Sequence, residues 1–101
     1  MRMLLQAKFP NFDFNTAVKD GTVDKKIQRI LDEAKPEAVY FTEYDGQRGV
    51  IMIVNVENPT KVPALAEPWF LMFDAEVQFH VVMSPEELGR AGLDAMAKKW
   101  C

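Results

Sequence analysis

Ala38-Val39-Tyr40-Phe41-Thr42-Glu43-Tyr44, Asp45-Gly46-Gln47-Arg48-Gly49 and Val50-Ile51-Met52-Ile53-Val54-Asn55-Val56 follow one another without a gap, and their reading decides the fold. The first segment alternates, with Tyr40 and Thr42 opposite Val39 and Phe41, and a period of two marks a strand. The Asp-Gly pair signals a hairpin, which is placed over Asp45–Gly49. The third segment is apolar on both sides: Val50, Met52 and Val54 on one, Ile51 and Ile53 on the other. A strand of that kind belongs at the centre of a sheet, covered on both faces.

Working outward, residues 3–9 also alternate, with Met3, Leu5, Ala7 and Phe9 opposite Leu4, Gln6 and Lys8. Pro10 and Asn11 end this strand. Residues 13–34 carry two helical stripes. Phe14, Ala17 and Val18 form the first; Val23, Ile27, Ile30, Leu31 and Ala34 form the second, about one residue out of phase. Gly21 lies at the join, so a break is expected at Asp20-Gly21-Thr22, with Thr22 capping the second piece. Pro36 stops that helix.

Beyond the hairpin, Asn58-Pro59-Thr60 opens a helix over residues 61–73. Pro63 suits its first turn. Pro68 falls in its interior, where a proline removes a donor and crowds the preceding turn, so a kink is expected near Glu67-Pro68. Residues 75–83 read as the last strand. Ser84-Pro85-Glu86-Glu87 is a capping box with proline at the first helical position. Gly89 and Gly92 interrupt the tail helix, and a fresh stripe of Leu93, Met96, Ala97 and Trp100 comes after them. That stripe needs an apolar surface. The chain is expected to bend near Gly89–Gly92 and to pack Trp100 on its own body or on a partner's.

The order β-α-β-β-α-β predicts an α+β, ferredoxin-like architecture: a four-stranded antiparallel sheet, helices on one face, and an extra C-terminal helix. A length of 101 residues predicts one domain, 1–101. The second face of the sheet collects Leu4, Gln6, Lys8, Tyr40, Thr42, Ile51, Ile53, Asn55, Gln78, His80 and Val82. Its apolar members are too many to leave in water. A second copy is the expected cover, enclosing a small part-polar pocket.

The composition, 49% hydrophobic and 27% charged, is that of a globular chain. A net charge of −3 weighs against nucleic acid as a partner, since that needs a clustered basic face. Lys25, Lys26 and Arg29 share their helix with Asp24, Asp32 and Glu33 and read as a solvated face. The one cysteine, Cys101, excludes an internal disulfide and any zinc site of usual spacing. A reducing compartment fits, and the cytoplasm is the expected location. Neither a signal-peptide core nor a membrane span is present in the sequence. No motif calls for a cofactor: Asp20-Gly21-Thr22 lacks the glycine spacing of a phosphate loop.

His80 is the only histidine. Its neutral-range titration suits a general base; an interface histidine paired with Gln78, Asn55 or a partner's backbone is the plainer account. Gln6, Tyr40, Thr42, Asn55 and Gln78 would line the same pocket as ligand contacts or as interface hydrogen bonds. Trp69, Phe70, Met72 and Phe73 form an aromatic wall or, more simply, a helix's core face.

The element order and size resemble the dimeric α+β-barrel superfamily. Ala66-Glu67-Pro68-Trp69-Phe70-Leu71 and Ala91-Gly92-Leu93 resemble segments of an uncharacterised bacterial subgroup, related in fold to antibiotic-biosynthesis-type monooxygenases and muconolactone isomerase. The resemblance implies two units packed sheet to sheet across a two-fold axis. It carries over no catalytic residue, because one superfold hosts many activities. The expected function is a homodimer that binds a small organic molecule. The alternatives are a cofactor-independent monooxygenase or isomerase with His80 as base, and an interaction subunit that docks a partner through its tail.

Overall fold

Asp45 and Gly46 both have positive φ, 55° and 74°. A two-residue type I′ hairpin requires that geometry, and it matches the twist of the flanking strands. Tyr44 pairs directly with Gln47, so the turn is tighter than the sequence suggested. Gln47, Arg48 and Gly49 belong to the strand rather than to a loop.

A computed structural model describes residues 1–101. The elements run β1 (Arg2–Lys8), α1 (Asn11–Lys19), α2 (Val23–Ala34), β2 (Ala38–Tyr44), β3 (Gln47–Asn55), a 3₁₀ turn (Pro59–Lys61), α3 (Val62–Phe73), β4 (Glu76–Val81), α4 (Pro85–Gly89) and α5 (Leu93–Trp100). One sheet has the order β2-β3-β1-β4, and every neighbouring pair is antiparallel. The chain is therefore α+β with the ferredoxin-like arrangement. The doubly apolar β3 is central, as its pattern demanded.

The expected break between α1 and α2 is present, with Gly21 at φ 78°. Thr22 precedes α2 but its side chain caps nothing there. Its hydroxyl and its N–H instead donate to Asp20 Oδ1, at 2.6 and 3.0 Å. Helix α3 runs unbroken through Pro68. Helix α4 opens with the full capping box: Glu87 N–H donates to Ser84 Oγ, and Ser84 N–H donates back to Glu87 Oε1. The tail then breaks, and Gly92, at φ 79°, starts α5.

The core lies between the sheet and α1–α3. Leu5, Ala7, Val50, Met52 and Val54 meet Ala17, Ile30, Trp69 and Phe73 there. Phe9 is its hub, with ring centroids 5.2 Å from Phe14, 5.4 Å from Trp69 and 5.3 Å from Phe73. Aromatic pairs at such separations add about 0.5–1.5 kcal/mol beyond the area they bury. Arg48 closes the cluster, its guanidinium 4.7 Å above the Phe14 ring.

The tail leaves this body. The radius of gyration is 17.0 Å and the longest dimension is 59 Å, whereas a compact chain of this length has a radius near about 13 Å. Every residue from Leu88 to Cys101 is exposed. The expected bend exists, but Trp100 is 76% exposed, with the Lys99 ammonium 5.3 Å from its ring centroid.

The root of the tail is held by charge. Arg2 Nη1 donates to Glu87 Oε1 at 2.6 Å, and Arg2 Nε lies 3.5 Å from Glu37. The Ser84 N–H, then Arg2, hold the Glu87 carboxyl below its ordinary 4.5. A depressed carboxyl stabilises the fold above its unfolded value and ceases to do so as pH falls through the lowered one. The cap on α4 should therefore be intact above about pH 4.5 and loosen below it. Amide shifts of Ser84 and Glu87 followed by NMR during acid titration report this. A cap that titrates together with unpaired surface glutamates would show that Glu87 is not held.

Candidate functional site

The sheet face away from α1–α3 is uncovered. Register fixes three rows across it. Tyr40, Ile51, Gln6 and Gln78 form one; Ala38, Ile53, Leu4 and His80 the next; Thr42, Gly49, Lys8 and Glu76 the third. Period two places these residues on the second face as the sequence predicted. The centre of this face is aliphatic, from Leu4, Ile51 and Ile53. Its edge carries Tyr40, 71% exposed.

Beside the aliphatic centre, at the hairpin end, lies a polar pocket of about 150 Å³ lined by Gln6, Lys8, Tyr44, Asp45, Glu76 and Gln78. Lys8 Nζ lies 3.7 Å from Asp45 and 3.5 Å from Glu76. Gln6 and Gln78 are direct cross-strand partners, so two carboxamides face the space side by side. Tyr44 starts on the edge strand β2, crosses β3 and donates its hydroxyl to the Ala7 carbonyl on β1 at 2.8 Å. Burial raises its pKa above the ordinary 10.0, which keeps the donor protonated.

That crossing is possible because residue 49 is glycine. A Cβ there would lie 2.7 Å from the Tyr44 hydroxyl and 2.8 Å from the Ala7 carbonyl oxygen. The phenol can move aside, but the backbone oxygen of a central strand cannot. Gly49→Ala should cost about 1–3 kcal/mol, in the range of core overpacking. Tyr44→Phe should cost about 1 kcal/mol for the lost bond. Chemical denaturation measures both. A Gly49→Ala protein of unchanged stability would show that residue 49 does not lie against the Ala7 carbonyl, and a Tyr44→Phe protein of unchanged stability that the phenol does not bond it.

Of the residues singled out from sequence, Gln6 and Gln78 come together in this pocket. His80, Tyr40, Thr42 and Asn55 share the open face but not the pocket. His80 is exposed on edge strand β4, opposite Leu4. Tyr40 is on the other edge strand, three strand spacings away, or about 14 Å. Asn55 is two strands from His80, and its Oδ1 accepts from the Met1 amine at 3.0 Å. Within one chain, His80 therefore has neither Tyr40 nor Asn55 to orient it. Trp69 is elsewhere altogether: it is fully buried between the sheet and α3, as core packing of that helix requires, and lines no open space. No group of three or more His, Cys, Asp or Glu is placed to hold a metal ion. No helix is long and apolar enough to cross a membrane.

Tyr44, Asp45 and Glu76 were missed. Tyr44 is in phase with Tyr40 and Thr42, so period two pointed to it. Reading Asp45–Gly49 as a loop hid what it faces, because the crossing depends on Gly49 being in the strand.

No protein-family model matches the chain, and no curated protein does. Among solved structures it is similar to the de novo designed protein Ferredog-Diesel, with 14% sequence identity, a TM-score of 0.49, and cover of 80% of this chain and 85% of that one.

Proposed function

We propose that two copies of this chain stack their open sheet faces into a closed barrel of the dimeric α+β kind. The space enclosed beside Lys8 binds a small polar organic molecule. The observation that carries this reading is the juxtaposition on one uncovered face of an aliphatic centre and a built polar pocket. Leu4, Ile51 and Ile53 drive closure, since covering such side chains is worth roughly 1.5–3 kcal/mol each before association costs. Closure then shields the polar groups from water and strengthens their bonds to a guest. The guest's chemistry is set by the lining. Two carboxamides offer both donors and acceptors, and one ammonium stands between two carboxylates. A neutral molecule with hydroxyl or amide groups suits this set better than an anion, which Asp45 and Glu76 would repel.

The test is native mass spectrometry of the protein purified from its own host. The expected result is a mass of two chains plus a retained small molecule, which Gln78→Leu releases. A two-chain mass with no retained molecule, and no binding from a library of small polar compounds, would overturn the ligand. A one-chain mass would overturn the closure.

A further inference from the structure

We infer that α5 is an exchanged arm: it docks in the groove between α2 and α3 of a second copy of this chain. The arm and the groove are complementary in shape, charge and hydrogen bonding, and each is unpartnered in its own chain.

Leu93, Met96, Ala97 and Trp100 stand at i, i+3, i+4 and i+7, the anchor spacing of a helix laid into a groove. Leu93 is 55% exposed and Trp100 76%. The groove, of about 370 Å³, is walled by Ile30, Ala64, Pro68, Leu71 and Met72, with Arg29, Glu33 and Glu67 among its lining. Leu71 is 81% exposed, an unusual state for a leucine between two packed helices. A third helix laid over α2 and α3 would cover it.

The charges match. The groove carries Arg29 against Glu33 and Glu67, a net −1. The arm carries Asp94 against Lys98 and Lys99, a net +1. None of these six makes an ion pair within the chain. Pro68 adds an acceptor. It has no N–H to give the Ala64 carbonyl, the ordinary partner four residues back, so that oxygen lacks its helical donor in the groove wall. The Trp100 indole N–H is a donor in need of such an acceptor.

A second copy is the occupant that reach and area favour. The 14 residues after Glu87 follow a path of about 20 Å at helical rise, from the end of α4 through the break into α5. Stacked sheets are about 10 Å apart, so an arm of that length passes the partner's sheet and arrives at its helix layer. In projection a stacked face covers roughly 450 Å² per protomer, from four strands of about seven residues. A standard interface needs about 800 Å² per partner. Trp100 alone buries about 150–250 Å², and two-fold exchange makes the groove contact twice. Only the reach and area estimates rest on the stacked-sheet reading; the match of arm to groove does not.

Cys101, the only cysteine, ends the arm and serves as a probe. Full-length protein carrying Glu67→Cys and Cys101→Ser is mixed with wild type, re-equilibrated and oxidised mildly. The expected product is a disulfide-linked pair with one chain of each kind, at least ten-fold above the yield when Thr42→Cys replaces Glu67→Cys. Trp100→Ala in the wild-type partner should reduce that yield several-fold. Equal or better linking at position 42 would put the arm over the sheet face and overturn the groove. Linking within one chain only, when Glu67→Cys and Cys101 share a chain, would make the arm intramolecular and overturn exchange. No linking at either position would leave α5 to a foreign partner and overturn it equally. Linking at position 67 that survives Ile53→Asp would uphold the arm even if the sheets do not stack.

Discussion

Trp69→Ala should lower the stability of this fold by about 3–5 kcal/mol, the range for removing a buried tryptophan. Trp69 is 0% exposed and touches two other members of the aromatic cluster, with its ring 5.4 Å from Phe9 and 6.1 Å from Phe73. Truncation leaves a cavity that Phe9 and Phe73 cannot fill, since both are themselves fully buried. Trp69→Phe should behave differently. The indole Nε1–H has no protein acceptor in reach. An unpaired buried donor costs about 1–3 kcal/mol, and phenylalanine removes that cost while keeping most of the ring. The two effects oppose each other, so Trp69→Phe should fall within about 1.5 kcal/mol of wild type, the range for well-tolerated core swaps. Urea denaturation with a common m-value separates the two variants. If Trp69→Phe costs as much as Trp69→Ala, the indole N–H has a partner and the site is not a plain core.

The frame of the molecule was legible because it depends on periods. The two-residue period of residues 3–9 and 38–44 fixed which side chains share a face, and the doubly apolar Val50–Val54 fixed the central strand. Breakers were legible too: Gly21 and Gly92 adopt the left-handed conformation at the joins where the stripes change phase. Pro68 was legible inside one helix, but what offsets its cost was not. Its cost is offset by its neighbours in the helix, since Trp69 and Phe73 both bury there and hold the turn together. Half the pocket was illegible for a similar reason. Tyr44 reaches the pocket only by crossing Gly49, and that contact links three strands. A pattern within one strand does not encode it. The tail lies between these cases. Its stripe was plain, but the surface that covers the stripe was not, because the isolated chain presents the stripe to solvent.

Ile53→Asp should break the proposed dimer while sparing the protomer. Ile53 belongs to the aliphatic centre of the open face, paired with Leu4 on one side and Ala38 on the other, and is only partly covered by its own chain. In a single chain the new carboxylate can remain hydrated, so the melting temperature of the protomer should change little. In a stacked dimer it would face the partner's Leu4, Ile51 and Ile53. An unpaired buried charge costs about 3–5 kcal/mol. At about 1.4 kcal/mol per tenfold in affinity, the dissociation constant should rise by two to three orders of magnitude or more. Thr42→Asp, at the edge of the same face, keeps access to water and should shift it far less. Sedimentation velocity at micromolar concentration measures all three proteins. A wild type that sediments as one chain would end the stacked-sheet reading. So would an Ile53→Asp protein that remains a dimer as tight as wild type, because the aliphatic centre would then face something other than a second copy.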